Sequence, residues 1–144
     1  MNMKDEFILS EDDDYTCQTQ AELYEYVKQN GYDIVSFSDK YLVSDFCNRE
    51  MDSEYSVFQR EDPLQILDFV IPQIGDLVEP VDDGVYVDAY DLGYLYRYLH
   101  FSTGLSSREI VEKIDTKSMI KELSRRTDWN IDEVAKAVAS TYDL

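Results

Sequence analysis

Two cysteines, one histidine and 31 acidic side chains are the groups in this chain of 144 residues best placed by type to do chemistry. Cys17 and Cys47 stand apart, with neither a Cys-x-x-Cys spacing nor a histidine cluster beside them. Two small buried thiols in a reducing cytoplasm are therefore expected, not a zinc site. His100 falls on a Tyr/Leu-rich segment, where a hydrogen-bonded, partly buried imidazole fits better than a general base. No Gly-rich phosphate loop, His-Glu-x-x-His or Gly-x-Ser-x-Gly pattern occurs. Asp12, Asp13 and Asp14, and again Asp82, Asp83 and Asp88, lack the alternating ligands and closing glutamate of a calcium loop, so loose counter-ion attraction is the expectation. Carboxylates alone can do acid/base work, but nothing raises these above an abundance of acid. The chain reads as a non-enzyme with no catalytic residue, metal or cofactor.

The acid itself is the signal. Formal net charge is −18, and the excess lies before Ser102: 6 basic against 23 acidic residues from Met1 to Phe101, then 7 against 8 to Leu144. A soluble domain needs only a few net charges, and more of them destabilise the compact state by self-repulsion. Such a concentration points to a positive partner, and proteins that hold nucleic acid are the obvious ones. Hydrophobic residues make up 44% of the chain, with 12 Tyr and 6 Phe, too apolar for a disordered acidic tail. No apolar run approaches the roughly 20 residues of a membrane helix, and the start lacks a basic region followed by an apolar stretch, so the chain is expected to be neither secreted nor membrane-bound.

The elements that must position these groups read as an α+β region over 1–88 and a helical region over 89–144, packed as one body. Phe7-Ile8-Leu9 suggests a strand and Glu11 to Asp14 an exposed acidic turn. Thr19 with Glu22 is a capping-box pattern opening a helix over 20–29, stopped at Gly31. Ile34, Val35 and Phe37 suggest a strand, as do Tyr55, Val57 and Phe58, with a helix-leaning stretch over 39–48 between them. Asp62-Pro63 caps a helix carrying Ile66, Leu67 and Val70 inward and limited by Pro72. Asp82-Asp83-Gly84 turns into a strand at Val85, Tyr86 and Val87. The resulting fold class is α+β, with a small mixed antiparallel sheet followed by a helical tail.

The tail carries one unit twice at an offset of 24 residues: Asp91, Leu99, Thr103 and Glu109 recur as Asp115, Leu123, Thr127 and Glu133. Each unit is a helix, a short turn and a second helix opened by Ser106 with Glu109 or by Asn130 with Glu133. Residues 99–114 and 123–138 resemble the helix-turn-helix family, through Gly104-Leu105 and Ile110 in the first unit and Thr127, Trp129 and Val134 in the second. Asp128 stands where that family usually has glycine. Through Thr116-Lys117-Ser118, Leu123, Arg126-Thr127 and Glu133-Val134-Ala135-Lys136-Ala137-Val138, residues 116–143 also resemble the helix pair that begins HU-type DNA-binding proteins, without a counterpart to their β-arms. These resemblances imply base contacts from Ser106, Ser107 and Arg108 in the first unit. In the second unit, Asp132 and Glu133 would repel phosphates, and a net charge of −18 opposes duplex binding altogether.

The leading reading is an acidic cytoplasmic inhibitor that occupies the basic nucleic-acid groove of another protein, a nuclease or a CRISPR or restriction effector in a bacterial host. In size, charge and missing catalytic apparatus it is similar to the acidic anti-restriction and anti-CRISPR proteins of phages and mobile elements, several of which mimic DNA. The expected partner-binding residues are Asp12, Asp13, Asp14, Asp82, Asp83, Asp88, Tyr90, Asp91 and Tyr94, rigid aromatics among carboxylates. Direct nucleic-acid or membrane binding is not expected; a homodimer stays open. A helix-turn-helix regulator, an immunity protein against a nuclease toxin and a host-factor adaptor are the alternatives.

Overall fold

The computed structural model describes residues 7–80 and 86–144, and every regular element among them is helical. The helices are α1 (Glu11–Gln29), α2 (Ile34–Val43), α3 (Pro63–Ile74), α4 (Ala89–Thr103), α5 (Ser107–Lys113), α6 (Thr116–Ser124) and α7 (Ile131–Thr141). A π-helical turn, Cys47–Met51, and a 3-10 turn, Val57–Arg60, lie between α2 and α3.

The expected α+β class is thereby overturned: the described residues contain no strand and no sheet. Each misread strand has a local cause. Phe7 to Leu9 form no strand; the Phe7 ring lies edge-on to Tyr98 at 5.5 Å. The acidic run after it is no loop. Ser10 caps α1 by accepting from the Asp13 N–H at 3.1 Å, and Glu11 to Asp14 form the first turn, where carboxylates complement the positive end of the helix dipole. Thr19 is mid-helix and bonds back to the Tyr15 carbonyl and across to that of Gln59. Ile34, Val35 and Phe37 open α2 because Asp33 caps it, accepting from the Ser36 N–H at 2.9 Å. Phe37 then stacks on Tyr41, and both rings meet Tyr24 of α1 edge-on, so tertiary packing overrides β-propensity. Tyr55 is exposed, and Val57 and Phe58 sit in the 3-10 turn. Tyr86 and Val87 form no strand, while Val85, with Asp82 and Asp83, lies outside the described residues. Asp62 and Pro63 open α3 as expected, but the helix runs through Pro72 to Ile74.

α1 and α4 lie antiparallel along each other and form the longest helix contact. Lys28 donates to the Val87 carbonyl at one end and Tyr94 to Asp14 near the other. Between them Gln20 donates to the Gly93 carbonyl at 2.9 Å. A β-carbon at position 93 would stand 2.8 Å from both the Gln20 carbonyl oxygen and Tyr24 Cγ, so this close approach needs glycine. The tail is bound to the first half of the chain by two carboxylates that serve as helix caps from a distance. Asp39 on α2 accepts from the Thr116 N–H and hydroxyl at the start of α6. Asp52 accepts from the Ser107 N–H and hydroxyl at the start of α5. One continuous core runs through both regions, from Leu23 and Leu42 to Leu99, Ile110, Val134 and Val138.

Candidate partner-binding face

The outer side of the α1–α4 seam gathers carboxylates and tyrosines. Asp14, Gln18, Glu22 and Glu25 recur at three- and four-residue spacing along α1 and so share a face. Opposite them on α4 lie Tyr90 and Tyr94, one turn apart, with Asp88 and Asp91 at the helix start. Asp88 is the cap of α4, accepting from the Asp91 N–H at 3.0 Å. Tyr94 donates to one oxygen of Asp14 and Gln18 to the other, at 2.8 Å. This fixes the Asp14 carboxylate on the seam.

The electrostatics record the crowding. Burial raises the Tyr90 hydroxyl, and the charges of Glu22, Asp14, Glu25 and Asp91 raise it further. Burial first, and then the hydrogen bond to Asp14, pushes the Tyr94 hydroxyl up. The Asp91 carboxyl is also raised, by partial burial and by the charge of Asp88 beside it. Among the described residues no Lys or Arg forms an ion pair with Asp14, Glu22, Glu25, Asp88 or Asp91.

Of the residues expected from sequence, the structure thus brings together Asp14, Tyr90, Asp91, Tyr94 and, at the edge, Asp88. Asp12 is elsewhere on α1: it pairs with Arg60 at 2.8 Å, and that guanidinium lies over the Tyr15 ring. Asp13 is half-buried in the first turn. Asp82 and Asp83 fall outside the described residues. Glu22 and Glu25 were missed, although their spacing from Asp14 on a helix begun at Glu11 would have found them.

The helix-turn-helix residues are otherwise occupied. Ser106 caps α5 in a reciprocal capping box with Glu109. Ser107 is buried, with its N–H and hydroxyl both given to Asp52 at 2.8 and 2.6 Å. Arg108 is exposed, but its guanidinium donates to the Val43 carbonyl at 2.6 Å and lies 3.8 Å from Asp45. Gly104 does adopt the left-handed turn conformation the family requires, at φ 78°. In the second unit Asn130 makes no side-chain cap and reaches only Glu133, at 3.4 Å.

Sequence reasoning also missed a buried polar hub. Arg97, at 0% exposure, pairs with Asp52 and donates to Gln20 Oε1 at 2.8 and 3.1 Å and to Cys47 Sγ at 3.2 Å. The π-helical turn brings Cys47 and Asp52 to it. Burial alone would raise the Asp52 carboxyl, but Arg97, His100 and the two Ser107 bonds outweigh it and hold it below its usual range. Burial pushes the Cys47 thiol up, which keeps it a thiol. His100 bonds the Leu105 carbonyl at 2.7 Å, and burial followed by Arg97 lowers its basicity. The hub locks α1, α4, α5 and the π turn together.

No helix among the described residues is long and apolar enough to cross a membrane, and no group of three His, Cys, Asp or Glu side chains among them is placed to hold a metal ion. No protein-family model, curated protein or solved structure matches the chain.

Proposed function

We propose that the protein is an acidic inhibitor acting in the cytoplasm, which places the α1–α4 face in the basic nucleic-acid groove of another protein, a nuclease or a CRISPR or restriction effector. The observation that carries this reading is the row of Asp14, Glu22 and Glu25 on one face of α1, bound to α4 through Tyr94, with Asp91 on α4 and no ion-pair partner for any of the four among the described residues. Unpaired carboxylates on packed helices carry a local negative field that steers a basic partner to them and accepts guanidinium contacts on arrival. Asp14 to Glu25 spans about 16 Å of helix axis, along which one DNA strand presents about five phosphates, so the face copies a duplex in field and not charge by charge. Tyr90 and Tyr94 add rigid contact area at low entropy cost.

The regulator alternative draws less support, because Ser107 is buried on Asp52 and Arg108 is held by Val43 and Asp45. An immunity protein for a nuclease toxin would use the same face by the same physics. The test is capture from a bacterial lysate on immobilised protein, beside a Glu22→Lys, Glu25→Lys, Asp91→Lys variant. Nucleic-acid-binding proteins retained by the native chain, released by duplex DNA and lost by the variant would support the reading. A native chain that shifts duplex DNA at physiological salt, or captures that DNA does not displace, would overturn it.

A further inference from the structure

Beside the acidic face, the start of α4, α6 and α7 enclose a groove of about 420 Å³. Its floor is apolar, formed by Ile120, Leu123, Ile131 and Val134, and Asp88 and Asp91 line its α4 side. Two aromatic rings stand in its walls: Trp129, 48% exposed, and Tyr86, 79% exposed. Each ring already carries one of the chain's own cations: Arg126, which pairs with Glu122 at 2.7 Å, lies over Trp129 at 5.2 Å, and Lys28, which donates to the Val87 carbonyl, lies over Tyr86 at 4.6 Å. Neither cation pairs with Asp88 or Asp91, which form no ion pair among the described residues. Partial burial and the charge of Asp88 both disfavour ionisation of Asp91, so this pair of carboxylates at the groove's edge gains from an inserted cation.

We propose that this groove docks an arginine and its apolar neighbour from the basic partner, the guanidinium lying against Asp88 and Asp91 while the neighbour rests on Leu123 and Ile131. Charge complementarity selects a cation, and the apolar floor selects against a bare ammonium. A guanidinium is planar, more weakly hydrated than the lysine head and able to meet carboxylates through two donors. An arginine buried among aromatic and aliphatic groups is the usual anchor of a tight interface. The proposal rests on the acidic-inhibitor reading and names the anchor it would use.

Trp129 is the chain's one tryptophan, so its fluorescence reports this groove alone. The full chain is titrated with acetyl-Leu-Arg-Leu-Leu-Arg-amide, and with peptides carrying Lys or Glu in place of Arg. The expected result is a saturable emission change with the Arg peptide, a weaker one with Lys and none with Glu. Asp88→Asn with Asp91→Asn should weaken binding about tenfold or more, and asparagine at 88 preserves the cap of α4. Glu54→Gln with Asp68→Asn, the same change in net charge away from the groove, should leave binding intact. No saturable response, equal response to the Glu peptide, or equal loss in both double variants would overturn the proposal. Lysate capture separates the two readings. Capture that survives the Asp88/Asp91 variant removes the groove as anchor and leaves the inhibitor reading standing; peptide binding without any DNA-displaceable capture does the reverse.

Discussion

Gly93→Ala sets two effects of opposite sign against each other. On an open helix the exchange stabilises by about 1 kcal/mol, because alanine is the better helix former. At position 93 the new methyl would lie 2.8 Å from the Gln20 carbonyl oxygen and from Tyr24 Cγ. Comfortable contact begins near 3.5 Å, so α1 and α4 must part there by roughly 0.7 Å. Overpacking of this kind costs about 1–3 kcal/mol. The same displacement stretches the Gln20 to Gly93 hydrogen bond from 2.9 Å to beyond bonding range and leaves two buried polar groups short, a further cost of about 1–3 kcal/mol. Set against the propensity gain, the net loss is about 1–5 kcal/mol. With a urea m-value of about 2 kcal/mol/M, the unfolding midpoint should fall by about 0.5–2.5 M. Gly104→Ala, with open space around its β-carbon but φ at 78°, should lose less, about 1–2 kcal/mol from conformation alone. A Gly93→Ala midpoint equal to or above that of the native chain would refute the close-packed seam on which the candidate face is built.

The buried hub, the pH response and the tail cap each give a further expectation. Asp52→Ala strands the Arg97 charge and should cost about 3–5 kcal/mol in chemical denaturation, whereas Asp52→Asn, which still accepts from Ser107, should cost less; equal losses would mean the charge pair contributes nothing. Because His100 binds its proton less readily folded than unfolded, its contribution is complete above its usual value of 6.5 and declines as pH falls below it; His100→Gln should flatten the stability profile below pH 6.5. The Asp52 contribution follows the same sign at lower pH, present above 3.8 and lost on further acidification. Ser106→Ala removes the α5 capping box and should cost about 1 kcal/mol in urea, against little change for Lys136→Ala on the exposed side of α7.

Caps and periodic stripes made part of this fold legible in the sequence. Asp62-Pro63 placed the start of α3, and Ser106 with Glu109 that of α5, because a side-chain cap is local chemistry. The strands failed for the complementary reason: Ile34, Val35 and Phe37 have β-propensity, but Asp33 and the ring of Tyr24 decide the matter from outside the run. Glu11 to Asp14 looked like a loop only while the helix dipole was left out. Arg97 was hidden because α4 is buried on several sides, and its partner Asp52 lies 45 positions away across a π turn that no propensity marks. The candidate face was half readable. Asp14, Tyr90, Asp91 and Tyr94 came from local acid and tyrosine density, while Glu22 and Glu25 required the full length of α1.

The central claim is that the acidic α1–α4 face and duplex DNA compete for one groove, and a single equilibrium titration tests it. A captured nucleic-acid-binding partner, saturated with fluorescein-labelled duplex, is titrated with the native chain and anisotropy is followed at two salt concentrations. The account predicts complete, stoichiometric release of the duplex, weaker at higher salt, and no release by the Glu22→Lys, Glu25→Lys, Asp91→Lys variant. Simultaneous binding of duplex and protein to the partner, or release by the triple variant equal to that by the native chain, would contradict it.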